Sequence, residues 1–160
     1  MFHPSAYNGT TEENYQLLLQ QLKALTYDES DLIANLSNAA ALLNCFLEDI
    51  NWVGFYLAKD NQLVLGPFQG LPACIRIPFH KGVCGHAATI KETVVVDNVH
   101  YFPGHIACDS ATNSEIVIPI IKNDQLIGVL DIDSPSLNRF SEIDRLYLEQ
   151  FIQVLVQTIA

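Results

Sequence analysis

The sequence predicts an α/β fold of the α+β type, in which a mainly antiparallel sheet has helices on one face and loops or a ligand pocket on the other. Three observations support this class. The predicted elements follow the order helix, helix, paired strands, long loop, paired strands, helix. Short turns join most neighbouring strands, which favours antiparallel pairing. The 160 residues form one predicted domain, 1–160, and are enough to bury a sizeable core.

The predicted helices combine capping residues at their starts with apolar residues at helical spacing. Thr10 and Glu13 have the pattern of a capping box at the first helix. Ser141, with Asp144 three residues later, has the same pattern at the last helix. The predicted helices span about 10–25, 30–47 (beginning at Ser30 or Asp31), 82–88 and 141–160.

The predicted strands are short segments rich in β-branched and aromatic residues, bounded by turn-forming residues. Between 98 and 114 the sequence has no clear period, and an irregular loop of this length is usually functional or disordered. Tyr101 and Phe102 argue against disorder. The predicted strands span 50–58, 62–69, 74–77, 93–96, 115–121 and 125–133.

The charge and hydropathy of the chain exclude several classes of partner. The net charge is −10 with 8 Lys plus Arg, so the chain repels phosphate backbones and we expect no nucleic-acid binding. No apolar run reaches the roughly 18 residues that cross a bilayer, so we expect no membrane span. The first four residues lack the basic and apolar pattern of a signal peptide. These observations predict a cytoplasmic protein with a cationic or zwitterionic small ligand.

Four cysteines are the main candidates for chemistry. In a cytosolic protein, cysteines tend to be inert core residues, metal ligands or catalytic thiols. Cys108 lies in the long loop, where a thiol can be presented to a ligand. Cys84 lies at the predicted start of a helix, where the helix dipole lowers a thiol pKa. Cys74 lies ten residues earlier among apolar residues, and Cys45 is interpreted as part of the core.

Histidines interleave with these cysteines and raise the alternative of a zinc site. His80, His86, His100 and His105 all lie between Cys74 and Cys108 or beside them. However, no pair with the usual C-x2–4-C or H-x3–5-H spacing stands beside a second such pair. We therefore expect no metal, and histidines at the surface.

Three carboxylates lie near the outer ends of the two strands of the second predicted hairpin. Asp131 and Asp133 alternate along one strand, so they point to the same face. A two-residue turn at Asn123 and Asp124 would place Glu115 on the opposite face, whereas a three-residue loop would place it directly across from Asp133. Convergence of the three would form an anionic pocket wall with one raised pKa. Otherwise they are the solvated ends of strands.

Trp52 and Tyr56 form an aromatic pair that is a candidate for ligand binding. They are four residues apart on a predicted strand and therefore share a face. Beside carboxylates, such a pair can hold an apolar or sulfur-bearing group that carries a nearby positive charge. The alternative is ordinary core packing.

Six segments together resemble the free methionine-(R)-sulfoxide reductases, which are single GAF domains. The resemblance covers nearly the whole chain in order, and the spacing of Cys74, Cys84 and Cys108 is typical of that family. It implies a GAF fold with an antiparallel sheet and a ligand pocket in front. The segments are 52–56 (WVGFY), 66–70 (GPFQG), 82–85 (GVCG), 105–109 (HIACD), 113–117 (NSEIV) and 130–134 (LDIDS).

The resemblance also implies a thiol mechanism. Cys108 would attack the sulfoxide sulfur and become a sulfenic acid as methionine leaves. Cys84 or Cys74 would then form a disulfide with it, and thioredoxin would reduce that disulfide. No metal or organic cofactor is implied, and members of the family are often homodimers.

The same resemblance implies how the substrate is bound. The carboxylates of Glu115, Asp131 and Asp133 would bind the substrate ammonium and supply a proton to the sulfoxide oxygen, and Trp52 and Tyr56 would enclose the sulfur and methyl group. Two alternatives from other classes are a non-catalytic GAF sensor of a small molecule and a thiol redox switch without turnover.

Overall fold

The computed structural model describes residues 6–160. The first four residues, on which the prediction of no signal peptide rests, lie outside this range. All the predicted helices and strands are present, and a short 3-10 helix, Val99–Tyr101, lies in the long loop. The helices are α1 (Thr11–Leu25), α2 (Leu32–Phe46), α3 (Gly82–Ile90) and α4 (Glu142–Thr158). The strands are β1 (Trp52–Lys59), β2 (Gln62–Gly70), β3 (Arg76–Pro78), β4 (Val94–Val96), β5 (Ser114–Lys122) and β6 (Gln125–Ser134).

The strands form one sheet in the order β3-β2-β1-β6-β5-β4. Every pair of neighbours is antiparallel, which confirms the predicted fold class. Short connections join β1 to β2, β2 to β3 and β5 to β6, whereas the long loop joins β4 to β5. The central pair of β1 and β6 joins the first three strands to the last three. The central strands β1, β6 and β5 therefore carry most of the residues that face either side of the sheet.

The two faces of the sheet support two separate cores. On one face, α1, α2 and α4 cover buried residues such as Val53, Phe55 and Ile132. On the other, Tyr56 and Val117 pack with α3 in a smaller core. The alternation of side chains along a strand explains this division, because neighbouring residues point to opposite faces. Among residues 6–160, no helix combines the length and apolar character that a membrane span requires.

Side-chain caps determine where three of the helices begin. The predicted capping boxes at the starts of α1 and α4 are both present. Asp31 rather than Ser30 caps α2, and its carboxylate accepts a hydrogen bond from the backbone N–H of Ala34 at 2.8 Å. The last helix ends at Thr158, two residues before the end of the chain.

Two predictions about cysteines are wrong. Cys45, expected in the core, is exposed on α2, because the helical period turns it away from the face that buries Leu43. Cys74, expected in a strand, precedes β3, which begins at Arg76. The carbonyl oxygen of Cys74 accepts a hydrogen bond from the hydroxyl of Tyr56 instead of joining the sheet at that point.

The register of the second hairpin is decided by a bulge. The turn has two residues, Asn123 and Asp124, both with positive φ (50° and 63°). A regular hairpin with this turn would place Glu115 on the face opposite to Asp133. One extra residue of β6, Ile127, restores the register that a three-residue loop would have produced. The pairs around this bulge are Lys122 with Gln125, Ile121 with Leu126, and Ile120 with Gly128.

Candidate active site

A pocket lies on the face of the sheet that α1, α2 and α4 leave open, between β1, β6, the start of α3 and the loop after β4. Seven of the eight predicted site residues line it: Trp52, Tyr56, Cys84, Cys108, Glu115, Asp131 and Asp133. The eighth, Cys74, is covalently joined to Cys108. The structure therefore brings together all the side chains that the sequence pointed to, from six different segments of the chain.

Cys74 and Cys108 form a disulfide across the mouth of the pocket, with their Cα atoms 5.8 Å apart. Cys108 is exposed and Cys74 is half-buried. The bond joins the long loop to the segment between β2 and β3. Of the two cysteines left open as partners of Cys108, the structure pairs Cys74, and Cys84 is a free buried thiol.

Cys84 lies below this disulfide, in the third residue of α3, and its Sγ is 3.8 Å from Oε1 of Glu115. Burial raises the pKa of the Cys84 thiol well above its ordinary value, and the nearby charges of Asp131, Glu115 and Asp133 raise it further. The prediction of a lowered thiol pKa is therefore wrong. The helix dipole is a weak effect beside desolvation among three carboxylates.

The three carboxylates converge because Glu115 pairs directly with Asp133 across β5 and β6, and Asp131 lies two residues along the same face. Glu115 and Asp131 are both only 6% exposed. Burial raises the pKa of all three carboxyl groups, and that of Asp131 rises to about 6. The charge of Asp131 further raises the pKa values of Glu115 and Asp133.

Two oxygens of this carboxylate cluster lack a hydrogen-bond partner within the protein: Oδ1 of Asp131 and Oδ1 of Asp133. Buried polar atoms are normally satisfied, so an unpartnered pair in one pocket calls for an explanation. A cationic ligand, or protons, would compensate both oxygens at once. The carboxylate cluster (Glu115, Asp131 and Asp133) is thus arranged to receive a positive charge.

An aromatic wall faces the carboxylate cluster. The rings of Trp52 and Tyr56 are stacked with centroids 5.8 Å apart, and Phe68 stacks on Trp52 at 5.3 Å. Each ring is also held by its polar atom, since Trp52 Nε1 donates to the carbonyl of Leu71 at 3.1 Å and the Tyr56 hydroxyl donates to that of Cys74 at 2.9 Å. The wall is therefore rigid, and it also positions the backbone of Cys74.

Gly54 makes the close packing of this wall possible. It lies between the two aromatic residues on β1, and a Cβ atom there would lie 2.3 Å from Cβ of Phe68 and 2.8 Å from the ring of Trp52. Any side chain at this position would push both rings out of place. The glycine of the WVGFY segment thus has a packing role that periodicity alone did not show.

The described residues contain one group able to hold a metal ion, formed by Cys84, Glu115 and Asp131, whose ligand atoms lie within 4.8 Å of one another. No histidine belongs to this group. Spacing rules missed it because its members come from α3, β5 and β6. The same acidic group also suits a cationic organic ligand. The unpartnered oxygens would accept hydrogen bonds from such a ligand as readily as they would bind a metal ion.

Sequence reasoning assigned no site role to several residues of the pocket. His105, expected at the surface, lies with Nε2 3.9 Å from Oε2 of Glu115. Lys81 and Gly82, at the start of α3, line the pocket, and no side chain caps this helix. Asp109 and Thr112 also line it. No spacing pattern pointed to these residues, because their proximity depends on how the loop folds back on the sheet.

We expect the carboxylate cluster to make the ligand-free protein less stable as the pH rises. The pKa of Asp131 is raised from 3.8 to about 6 on folding, so the folded state binds more protons and stability is lost as pH rises from about 4 through 6. The free energy of unfolding is measured with urea at pH 5 and at pH 7.5. Its decrease between these two pH values should be smaller in Asp131→Asn than in wild type, by about 1–3 kcal/mol.

Asp60→Asn, in the exposed turn between β1 and β2, is the matched control and should decline with pH as the wild type does. An Asp131→Asn protein with the wild-type pH dependence would show that the cluster does not titrate in this range. All variants are compared with the Cys74–Cys108 disulfide intact.

Similar proteins identify the class to which this fold belongs. A model of the GAF domain family matches residues 28–160, which places the chain in the class of GAF domains. It is 57% identical to protein YtsP of Bacillus subtilis over 100% of this chain and 99% of that protein. It is 49% identical to the free methionine-R-sulfoxide reductase of Escherichia coli, over 92% of this chain and 90% of that protein.

A solved structure agrees with these relatives. The structure of fRMsr of Staphylococcus aureus in complex with substrate superposes with a TM-score of 0.89 at 51% identity, covering 98% of this chain and 100% of that one. Within the GAF domains, the chain belongs to the free methionine-R-sulfoxide reductase family.

Proposed function

We propose that this protein reduces free L-methionine-(R)-sulfoxide to methionine with its own cysteine thiols. The observation that carries the proposal is the meeting, in one pocket, of the Cys108 sulfur with a buried carboxylate cluster whose oxygens lack partners. The relatives of Escherichia coli and Staphylococcus aureus are named for this activity. The proposed domain is the whole chain, 1–160, because α1 packs against α2 and α4.

In the proposed reaction, the thiolate of Cys108 attacks the sulfoxide sulfur and a carboxyl group of the cluster protonates the sulfoxide oxygen. The oxygen passes to Cys108 as a sulfenic acid, and methionine leaves with its sulfur reduced by two electrons. The thiolate of Cys74 then attacks the Cys108 sulfur and water leaves. The product is the disulfide that joins these two cysteines. Raised carboxyl pKa values suit the proton donation, because a proton is held near neutral pH.

The pocket accounts for a free amino acid as substrate. The unpartnered oxygens of Asp131 and Asp133 suit an ammonium group. The stacked rings of Trp52 and Tyr56 suit the sulfur and methyl group. The uncapped start of α3, with Lys81 beside it, suits the substrate carboxylate, because free backbone N–H groups and the helix dipole favour anions.

The proposed cycle also defines its partners. Thiols supply both electrons, so neither a metal nor an organic cofactor is required. We propose thioredoxin as the reductant of the Cys74–Cys108 disulfide, the cytoplasm as the compartment where that reductant acts, and a homodimer as the assembled form. The net charge of −10 supports a small zwitterionic substrate rather than nucleic acid.

A single-turnover experiment tests the proposal. Fully reduced protein, freed of excess reductant, is mixed with one equivalent of free methionine-(R)-sulfoxide. We expect one methionine and one Cys74–Cys108 disulfide per chain, measured by chromatography and by mass spectrometry of the peptides. Cys84→Ser should behave in the same way, whereas Cys74→Ser should release methionine without forming that disulfide.

The (S) epimer serves as the matched control and should give no methionine. A disulfide that forms without methionine would point to a redox switch instead. Ligand binding with neither product would point to a sensor.

A further inference from the structure

The loop that carries Cys108 is tied to the rest of the protein at few points. In residues 103–111, the backbone hydrogen bonds are all made within the loop, such as Cys108 N–H to the carbonyl of Ile106 at 3.1 Å. Among the hydrogen bonds of the described residues, one side-chain bond leaves this segment, from Asn51 Nδ2 to Oδ2 of Asp109 at 3.0 Å. Asp109 is the residue directly after Cys108.

Asn51 is itself firmly placed. Its backbone N–H donates to the carbonyl of Asp133 at 2.9 Å, and it directly precedes β1 and Trp52. Its Nδ2 atom donates a second bond to Oγ1 of Thr112 at 3.0 Å. Asn51 therefore connects the loop to β6, the strand that carries Asp131 and Asp133.

Asp109 transmits this anchor to the nucleophile. Its second oxygen, Oδ1, accepts a hydrogen bond from the backbone N–H of Ala111 at 2.8 Å, which fixes the turn that follows Cys108. The backbone N–H of Thr112 closes the same turn on the carbonyl of Asp109 at 3.3 Å. A carboxylate held at both oxygens has little freedom, so the Cα of the neighbouring Cys108 is also restrained.

We propose that Asn51 is a positioning residue for Cys108, and that it acts chiefly in the reduced enzyme. In the oxidised state the Cys74–Cys108 bond also holds the loop. Reduction removes that bond at the moment when Cys108 must face the substrate. The contact from Asn51 to Asp109 then holds the nucleophile in place. This inference rests on the proposed function of Cys108.

Asn51→Asp tests the inference, because it replaces the amide donor with a carboxylate that repels Asp109. We expect the single-turnover rate of methionine formation to fall about tenfold to hundredfold, since a misplacement of about 1 Å has an effect of this size. KM should change less than the rate. Asn14→Asp is the matched control. The Asn14 amide also donates two hydrogen bonds, in this case to the backbone carbonyls of Tyr7 and Gly9, on α1 behind the sheet. The rate of this variant should equal that of wild type.

The exchange variant Asn51→Asp/Asp109→Asn restores an amide opposite a carboxylate and the original net charge, so it should recover most of the lost rate. A folded exchange variant as slow as Asn51→Asp, or an Asn51→Asp enzyme with the wild-type rate, would overturn the inference. Equal thermal unfolding of the variants establishes that differences in rate do not reflect loss of the fold.

A second readout does not depend on methionine sulfoxide. The equilibrium of the Cys74–Cys108 pair with glutathione measures the effective concentration of one thiol at the other. This effective concentration should fall about tenfold in Asn51→Asp and recover in the exchange variant. If the wild type makes no methionine but this pattern holds, the proposed function fails and the positioning role stands. An unchanged effective concentration in Asn51→Asp contradicts the positioning role itself.

Discussion

Cys108→Ser is expected to reduce methionine formation by at least about a thousandfold, because a hydroxyl at neutral pH is a far weaker nucleophile than a thiolate. Cys108 is exposed at the mouth of the pocket, and the proposed first step places its sulfur on the substrate sulfur. Serine differs from cysteine by one atom, so the pocket should remain intact. The measurement is methionine release in a single turnover of reduced protein.

The chain supplies a matched control in Cys45, an exposed thiol on α2 outside the pocket. Cys45→Ser should release methionine at the wild-type rate. Binding of the sulfoxide to Cys108→Ser, followed by calorimetry, should persist, since the carboxylate cluster and aromatic wall are unchanged. A Cys108→Ser protein that still reduces the sulfoxide would remove this residue from the role of nucleophile.

The second large effect concerns the substrate rather than the protein. N-acetyl-methionine-(R)-sulfoxide should have a kcat/KM at least about a hundredfold lower than the free amino acid. Acylation removes the positive charge, which leaves the unpartnered oxygens of Asp131 and Asp133 uncompensated in a buried site. Removing one partner of a buried charge pair costs about 3–5 kcal/mol, which corresponds to a loss of about a hundredfold or more.

N-methyl-methionine-(R)-sulfoxide separates charge from bulk, because its secondary amine remains protonated. It should retain most of the activity that the acetylated compound loses. Asp133→Asn should lower kcat/KM for the free amino acid. It should also reduce the ratio of kcat/KM between the free and the acetylated substrate. Equal rates for free and acetylated substrate would contradict recognition of the ammonium group by the carboxylate cluster.

The helices are the part of the fold that local sequence predicts best. The boxes at Thr10 and Ser141 are formed by residues three apart, so their pairing needs no distant contact. The cysteines show the opposite case. Cys74 and Cys84 are equally plausible partners of Cys108 along the chain, and only the folded loop brings Cys74 within bonding distance.

The carboxylate cluster depends on one residue that no local rule identified. A two-residue turn alone would place Glu115 on the far side of the sheet, whereas the sequence left both faces open. The bulge at Ile127 reverses this outcome, because one extra residue shifts the period-two alternation of the strand by one position. The pKa of Cys84 was mispredicted for a related reason, since burial raises it first and the charges that raise it further come from two other strands.

The sequence by itself determined the fold class and the starts of the capped helices, because these depend on composition, periodicity and contacts between residues near in the chain. It also singled out the candidate side chains that meet at the pocket. The tertiary structure decided the partner of Cys108, the face of Glu115 and the anchoring of the loop by Asn51. Each of these depends on a distance between segments far apart in sequence, and such distances arise only when the sheet, α3 and the loop pack together.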